Sequence, residues 1–272
     1  MGRTIARDVP PDAVVAIHDA GAVAYFSDRR VYDWVGLATN DRARAYRDGE
    51  GSTFEMMERV PKPDRPSYIA LYSSWNRIPG LYRNPPLVSL PHPSVGKTDS
   101  NPFRLHRIDM GIFERSDRPA ASRVPEGWRL AAEVDVADLL SEREAGYGIF
   151  DGRGAPKERA GGFRRLDMED GRAAEGERTI SPGWTERFRV RLRPGRPVRV
   201  VLRGEAEKAA VLSFQPDGGQ TRNLTVTGRK TWTEEAVDLP ADRIPPDGLL
   251  SMTVRVEKGA YGSAHYWCYQ PE

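Results

Sequence analysis

Hydrophobic positions in the first half of the chain form short runs that are separated by helical patterns. Apolar runs with the length of buried strands occupy residues 14–17, 31–35 and 67–72. Residues 41–48 and 53–60 have helical spacing, with Thr53 as a possible cap. Strands that alternate with short helices are typical of an α/β sheet. We therefore predict a small α/β domain of Rossmann-like type over residues 1–117.

The second half changes to strict alternation of apolar and polar residues. Phe188, Val190 and Leu192 point one way, and the arginines between them point the other way. The same period returns at residues 250–256, and Gly/Pro turns separate such runs. This pattern predicts an antiparallel β-sandwich of jelly-roll type over residues 118–272. The Gly-rich, charged stretch at residues 146–176 predicts irregular structure.

The composition excludes several classes of protein. Hydrophobic residues make up 39% of the 272 residues, which excludes a disordered chain. The 41 basic and 39 acidic side chains leave a net charge of +2, which gives no case for a nucleic-acid partner. Cys268 is the single cysteine, so no intrachain disulfide can form. Because no apolar run approaches the roughly 20 residues of a membrane span, and no signal peptide is evident, we expect a soluble chain.

Motifs for common catalytic and metal sites are absent from the sequence. Residues 96–98, Gly-Lys-Thr, lack the earlier glycine of a phosphate loop, because Pro91 stands in its place. The four histidines have no metal-ligand spacing, and no Gly-x-Ser-x-Gly motif is present. We therefore predict no catalytic residue, no metal ligand and no cofactor.

A polar dipeptide, His18-Asp19, follows the first predicted strand. Open α/β sheets carry their functional groups at the carboxyl ends of strands, which makes both residues candidates for ligand binding. Asp19 also stands where a helix N-cap belongs. The alternative is a structural cap beside a histidine that forms local hydrogen bonds.

Aromatic and polar side chains stand near two further predicted strand ends. Asp33, Trp34 and Trp75 are candidates for a sugar-binding surface, because aromatic faces stack on sugar rings and carboxylates bind hydroxyl groups. The alternative is that both tryptophans pack in a core or at a domain interface.

The last predicted strand is unusually aromatic. Alternation places His265, Trp267 and Tyr269 on one face, and the first two form a second candidate group for ligand binding. The alternative is a core strand in which His265 bonds to an internal carboxylate.

Four segments in this order resemble the carboxyl-terminal extracytoplasmic region of bacterial GT-C membrane glycosyltransferases, which are related to the protein mannosyltransferases. The segments are residues 10–26 with 30–37, residues 66–75 (Pro-Ser-Tyr-Ile-Ala-Leu-Tyr-Ser-Ser-Trp), residues 134–147, and residues 265–270 (His-Tyr-Trp-Cys-Tyr-Gln). One departure is that Glu144-Ala-Gly-Tyr147 lacks a histidine that relatives often carry. In that class the catalytic acid and the lipid-linked donor site belong to the membrane part, so no residue here inherits a catalytic role.

The resemblance implies an accessory domain at the periplasmic face of a bacterial membrane. Such a domain binds a glycan or a lipid-linked sugar, and it includes a carbohydrate-binding sandwich. Its partner is a membrane glycosyltransferase, encoded either by the missing part of the same gene or separately. Two alternatives stay open: a self-contained sugar-processing enzyme that uses His18 and Asp19, and a structural interaction module. The sequence specifies neither the sugar nor the oligomeric state.

Overall fold

A computed structural model describes residues 1–75, 78, 80–82, 85–91, 101–113, 118–157, 161–168, 171–217, 219–228 and 231–272, with position 75 described by its backbone. The chain forms two compact units, Met1–Glu114 and Arg115–Glu272. The predicted domain boundary after residue 117 and the phosphate-loop-like residues 96–98 lie outside the described residues.

Unit 1 is an α/β unit. Its helices are α1 (Gly2–Asp8), α2 (Ala22–Ser27), α3 (Asn40–Asp48) and α4 (Glu50–Glu58). Its strands are β1 (Val14–Ile17), β2 (Arg30–Asp33), β3 (Tyr68–Tyr72), β4 (Val88–Leu90) and β5 (Phe103–Arg107). Short 3-10 turns occupy Lys62–Asp64, Ser73–Trp75 and Met110–Phe113.

The sheet of unit 1 is mixed and has the strand order β2-β1-β3-β5-β4. Strands β2, β1 and β3 are parallel, whereas β5 is antiparallel to both β3 and β4. Strand β1 is buried along its whole length because Val15 and Ile17 face Ile5 of α1 and Val23 of α2 in one core cluster. The parallel strands therefore place the chain segments that follow β1 and β2 at one edge of the sheet.

Unit 2 consists mainly of strands. They are β6 (Trp128–Asp135), β7 (Gly148–Phe150), β8 (Gly161–Met168), β9 (Gly171–Ile180), β10 (Thr185–Arg191), β11 (Val198–Glu205), β12 (Ala210–Pro216), β13 (Arg222–Val226), β14 (Thr233–Leu239), β15 (Leu249–Lys258) and β16 (Tyr261–Pro271). Helix α5 (Leu139–Glu144) follows β6, and 3-10 turns occupy Ala121–Arg123 and Ala241–Arg243.

The strands of unit 2 form an antiparallel β-sandwich, as the alternation predicts. The first sheet has the order β13-β12-β15-β10-β7, and the second has the order β14-β11-β16-β9-β8, with β6 also paired to β16. Val190 and Met252 of the first sheet share one core cluster with Val200 and Tyr266 of the second sheet. Burial of these apolar faces is the main stabilising contribution to the sandwich.

The prediction of irregular structure at residues 146–176 is wrong. Most of this stretch belongs to β7, β8 and β9, and β8 pairs with β9 from Gly161 to Met168. The stretch shows no amphipathic alternation because a buried position of β9 carries the charged side chain of Glu175, which forms an ion pair with Arg203.

Two predicted helix caps are also wrong. Helix α4 begins after Gly49 rather than at Thr53, whose hydroxyl donates a hydrogen bond to the Gly49 carbonyl over 2.9 Å. Helix α2 has Gly21 at its N-cap, and Asp19 instead accepts a hydrogen bond from the Gly21 N–H over 3.0 Å. Among the described helices, none has the length and apolar character that a membrane span requires.

Candidate functional site

The carboxyl edge of the unit 1 sheet carries His18, Asp19, Asp33 and Trp34, as the sequence predicts from the strand ends. His18 follows β1 directly, and Asp33 ends the neighbouring parallel strand β2. The Trp34 N–H donates to the Ile17 carbonyl over 2.8 Å, which joins the two segments just beyond the ladder. That these residues bind a ligand stays a prediction.

His18 is enclosed by aromatic rings. Its imidazole lies 4.9 Å from the Tyr72 ring and 5.2 Å from the Phe103 ring, measured between centroids, and the residue is 6% exposed. Burial lowers the pKa of His18, and a hydrogen bond with the Ala70 backbone and the charge of Asp19 offset this only in part. Burial thus favours the neutral form of this imidazole.

The other predicted residues of this edge make structural contacts. Asp33 accepts hydrogen bonds from the Gly36 N–H over 2.9 Å and from the Ala38 N–H over 2.7 Å, so its carboxylate organises the loop after β2. Trp34 is 3% exposed, which leaves its ring inside unit 1. The side chain of Trp75 lies outside the described residues.

A cleft with a volume of about 300 Å³ opens at the opposite edge, beside the amino ends of β1 and β3. Asp12 lies just before β1, Lys62 and Arg65 come from the turn before β3, and Tyr68 begins β3. Arg107, at the end of β5, is the ladder partner of Tyr68, so antiparallel pairing brings this cation to the cleft wall. No sequence motif identifies these residues, because they are far apart along the chain and meet only in the fold.

The cleft has an excess of positive charge. Arg65 is held in place because its Nε donates to the Val60 carbonyl over 2.8 Å and its guanidinium lies 4.8 Å from the centre of the Phe113 ring. Lys62 and Arg107 are exposed to solvent. Three cations against the single carboxylate of Asp12 favour an anionic ligand in this cleft.

In unit 2, four charged side chains form a row across neighbouring strands, which we call the charged row. Strand pairing places Asp135 of β6 opposite His265 of β16, His265 opposite Arg203 of β11, and Arg203 opposite Glu234 of β14. Arg203 is fully buried and donates to Glu234 over 2.9 Å. Arg203 also forms an ion pair with Glu175 of β9.

A change of strand partner brings Glu175 to the charged row. Strand β16 pairs with β9 only from Tyr261 to Ser263, and then with β6 from His265 onward. At this fork, Nδ1 of His265 lies 3.8 Å from Oδ1 of Asp135 and 3.8 Å from Oε2 of Glu175. The three donor atoms all lie within 4.8 Å of one another, which is a set that could hold a metal ion.

His265 has acidic neighbours but no acceptor at hydrogen-bond distance. The residue is 2% exposed, neither ring nitrogen has a hydrogen-bond partner, and Nε2 lies 3.6 Å from Oε2 of Glu133. Burial of the ring lowers its pKa, but Glu133, Glu175 and Asp135 outweigh burial and raise the pKa of His265 to about 10. The carboxylates thus create a strongly negative potential at the imidazole.

Trp267 is not available as a stacking surface in this conformation. Its indole is fully buried and stacks on the His265 ring, with centroids 4.0 Å apart and planes 9° apart. Val124 packs against the apolar cluster that contains Trp267, and the Ala120 N–H donates to Glu234 over 2.8 Å, so the segment before β6 covers this face of the sheet. The alternative of a core strand with His265 beside internal carboxylates agrees with these contacts.

Comparison with solved structures finds carbohydrate-active proteins at low similarity. A GH115 4-O-methyl-α-glucuronidase with specificity for decorated arabinogalactans has 13% identity and a TM-score of 0.35 over 59% of this chain and 20% of that chain. A carbohydrate-binding module of Cellvibrio mixtus lichenase 5A, in complex with cellotriose, has 11% identity and a TM-score of 0.32 over 53% of this chain and 100% of that chain. An exo-β-1,3-galactanase from Phanerochaete chrysosporium has 12% identity and a TM-score of 0.31 over 62% of this chain and 37% of that chain.

Sequence comparison gives a family without a known activity. No curated protein matches the chain at a significant level. One family model matches residues 1–150, which include all of unit 1 and the first strands of unit 2. The chain therefore belongs to the family described as a domain of unknown function, DUF8728.

Proposed function

We propose that this chain is a non-catalytic accessory module that binds a phosphorylated sugar through the cleft of unit 1. The observation that carries the proposal is the cleft itself, with Lys62, Arg65 and Arg107 on its walls against the single acid Asp12. Its volume of about 300 Å³ suits a small ligand such as a monosaccharide phosphate.

Each wall of the cleft has a chemical counterpart in such a ligand. The exposed cations Lys62 and Arg107 supply charge-assisted hydrogen bonds to phosphate oxygens. The half-buried Tyr68 ring offers an apolar face to the sugar, and the Asp12 carboxylate accepts hydrogen bonds from hydroxyl groups. This combination favours a sugar phosphate over a neutral glycan as the ligand.

The wider setting of the proposal comes from the resemblance to GT-C glycosyltransferases. We propose that the module presents a sugar phosphate or glycan to a membrane glycosyltransferase at the periplasmic face of a bacterial membrane. We further propose that unit 1 is Rossmann-like and that unit 2 is a jelly roll that contributes to glycan binding. The path of the chain supports a jelly roll in unit 2, because successive strands from β9 to β12 alternate between the two sheets of the sandwich.

Calorimetric titration of the full chain with mannose 1-phosphate tests the cleft. We expect saturable binding of mannose 1-phosphate, with a higher affinity than that of mannose or of inorganic phosphate. Arg107→Gln and Lys62→Gln should each weaken binding about tenfold, because each removes a charge-assisted contact. Arg104→Gln is the matched control, because Arg104 is exposed on the same strand but does not line the cleft. Absence of saturable binding, or equal loss in Arg104→Gln, would contradict the proposal.

One further variant separates the two edges of the unit 1 sheet. Trp75→Ala alters the predicted sugar surface at the carboxyl edge and leaves the residues of the cleft intact. We expect this variant to bind mannose 1-phosphate like the wild type. Loss of binding in Trp75→Ala together with normal binding in Arg107→Gln would place the ligand at the carboxyl edge instead.

A further inference from the structure

We propose that Asp135, Glu175 and His265 form a binding site for a divalent first-row transition-metal ion of the Zn²⁺ class. The site lies at the fork where β16 changes partner from β9 to β6. Each residue contributes one donor atom from a different strand, and these atoms face one another.

The spacing of the donor atoms suits an ion between them. Nδ1 of His265 lies 3.8 Å from Oδ1 of Asp135 and from Oε2 of Glu175, which is too long for hydrogen bonds. Two ligand bonds of 2.0–2.2 Å at a tetrahedral angle separate their donor atoms by roughly 3.4 Å. Coordination therefore requires Nδ1 of His265 to approach each carboxylate oxygen by about 0.4 Å. The oxygens of Asp135 and Glu175, which lie within 4.8 Å of each other, must approach by about 1.4 Å at most.

The unsatisfied imidazole is an independent indication. His265 is 2% exposed, and neither ring nitrogen has a hydrogen-bond partner. Native proteins rarely leave a buried polar group without a hydrogen-bond partner, because its lost hydration is then not compensated. A metal ion at Nδ1 would satisfy the nitrogen that points to Asp135 and Glu175.

Neighbouring groups are arranged as supports for these ligands. The other nitrogen of His265, Nε2, lies 3.6 Å from Oε2 of Glu133, so a carboxylate stands on the side of the ring where carboxylate–histidine–metal sites have one. Trp267 stacks on the imidazole and fixes the plane of the ring. Arg203 binds the other oxygen of Glu175, Oε1, which leaves Oε2 directed at His265.

The charge of the cluster favours a divalent cation. Glu175 and Glu234 contact the guanidinium of Arg203, and Glu133 and Asp135 lie beside His265, so four described carboxylates stand against one guanidinium here. Imidazole as a ligand selects Zn²⁺ and its neighbours over Ca²⁺ and Mg²⁺, which prefer oxygen donors. The Asp135 side chain is 22% exposed, which provides access for an ion from solvent.

Titration of chelator-treated full-length chain with ZnCl₂ tests the site. We expect one Zn²⁺ per chain and a rise of the melting temperature with Zn²⁺, because an ion that binds only the folded state stabilises it. Asp135→Asn and His265→Gln should each weaken binding at least a hundredfold, and Glu133→Gln about tenfold. His106→Gln is the control, because it removes a buried histidine of unit 1. Under the same conditions CaCl₂ should give no saturable binding.

Circular dichroism establishes that each variant is folded. If His265→Gln fails to fold, Asp135→Asn decides the question, because Asp135 is partly exposed and lies at the end of β6. The proposal is overturned if the folded wild type takes up no Zn²⁺ saturably, if Asp135→Asn binds Zn²⁺ as the wild type does, or if CaCl₂ binds as tightly as ZnCl₂.

Discussion

Arg178 and Glu142 form an ion pair that is completely buried inside unit 2. Nε of Arg178 donates to Oε1 of Glu142 over 2.7 Å, and neither side chain is exposed to solvent. The pair links β9 to α5, and Glu142 also accepts a hydrogen bond from the Ala137 N–H over 3.2 Å. Removal of one of the two side chains leaves the other buried charge without a counter-charge, which destabilises the fold. Removal of both side chains avoids that energetic cost.

We expect Glu142→Gln to lower the free energy of unfolding of unit 2 by about 3–5 kcal/mol. Glutamine keeps an acceptor for the Ala137 N–H, so the loss reports on the uncompensated Arg178 charge. Addition of Arg178→Met to the same chain should recover most of the loss. Urea unfolding of the full chain, followed by circular dichroism, measures these differences.

The exposed pair Arg199–Asp238 is the matched control for this experiment. Its guanidinium donates two bonds of 2.7 Å, but the side chains are 28% and 59% exposed. We expect Asp238→Asn to cost less than about 1 kcal/mol. Equal costs for Glu142→Gln and Asp238→Asn would show that burial does not decide the contribution of the Arg178 pair.

Glu186 is a buried carboxyl that should make the stability of unit 2 depend on pH. Burial raises the pKa of Glu186, although hydrogen bonds from the hydroxyls of Tyr147, at 2.6 Å, and Tyr266 lower it in part. The folded state therefore holds this proton to a higher pH than the unfolded state does. The resulting stabilisation is complete below the ordinary pKa near 4.5 and is lost as pH rises through the raised value.

Glu186→Gln isolates this effect. The difference in unfolding free energy, wild type minus variant, should fall as pH rises above about 4.5, because only the wild type must ionise a buried carboxyl. Denaturant unfolding at a series of pH values from 4 to 8 measures the difference. A difference that is flat or that rises over this range would contradict the prediction.

Asp33 and Asp19 should differ in their effect on stability, although the sequence places both at strand ends. Asp33 is 5% exposed and accepts two backbone hydrogen bonds, so Asp33→Ala should cost about 1–3 kcal/mol. Asp19 accepts one bond at the exposed Gly21 N–H, so Asp19→Ala should cost less. Urea unfolding of both variants measures the two losses in free energy of unfolding. A larger loss for Asp19→Ala than for Asp33→Ala would contradict the prediction.

The pattern of apolar and polar residues predicts those strands whose side chains repeat with a clear period. Alternation at Phe188, Val190 and Leu192 predicts β10, and alternation from Leu250 to Val256 predicts β15, because one face of each strand is buried in the sandwich. The same rule places His265 and Trp267 on one face, where their rings stack. The order of α/β elements before sandwich strands also follows from local pattern.

Contacts between residues that are far apart along the chain follow from strand pairing and not from local pattern. Glu175 lies in a stretch that shows no strand pattern, and it reaches His265 only because β16 changes its pairing partner at Ser263. Arg107 joins Lys62 at the cleft because β5 runs antiparallel to β3. Local periodicity reports whether a residue faces a core, but register and strand order set these long-range neighbours, and they arise from the packing of the whole unit.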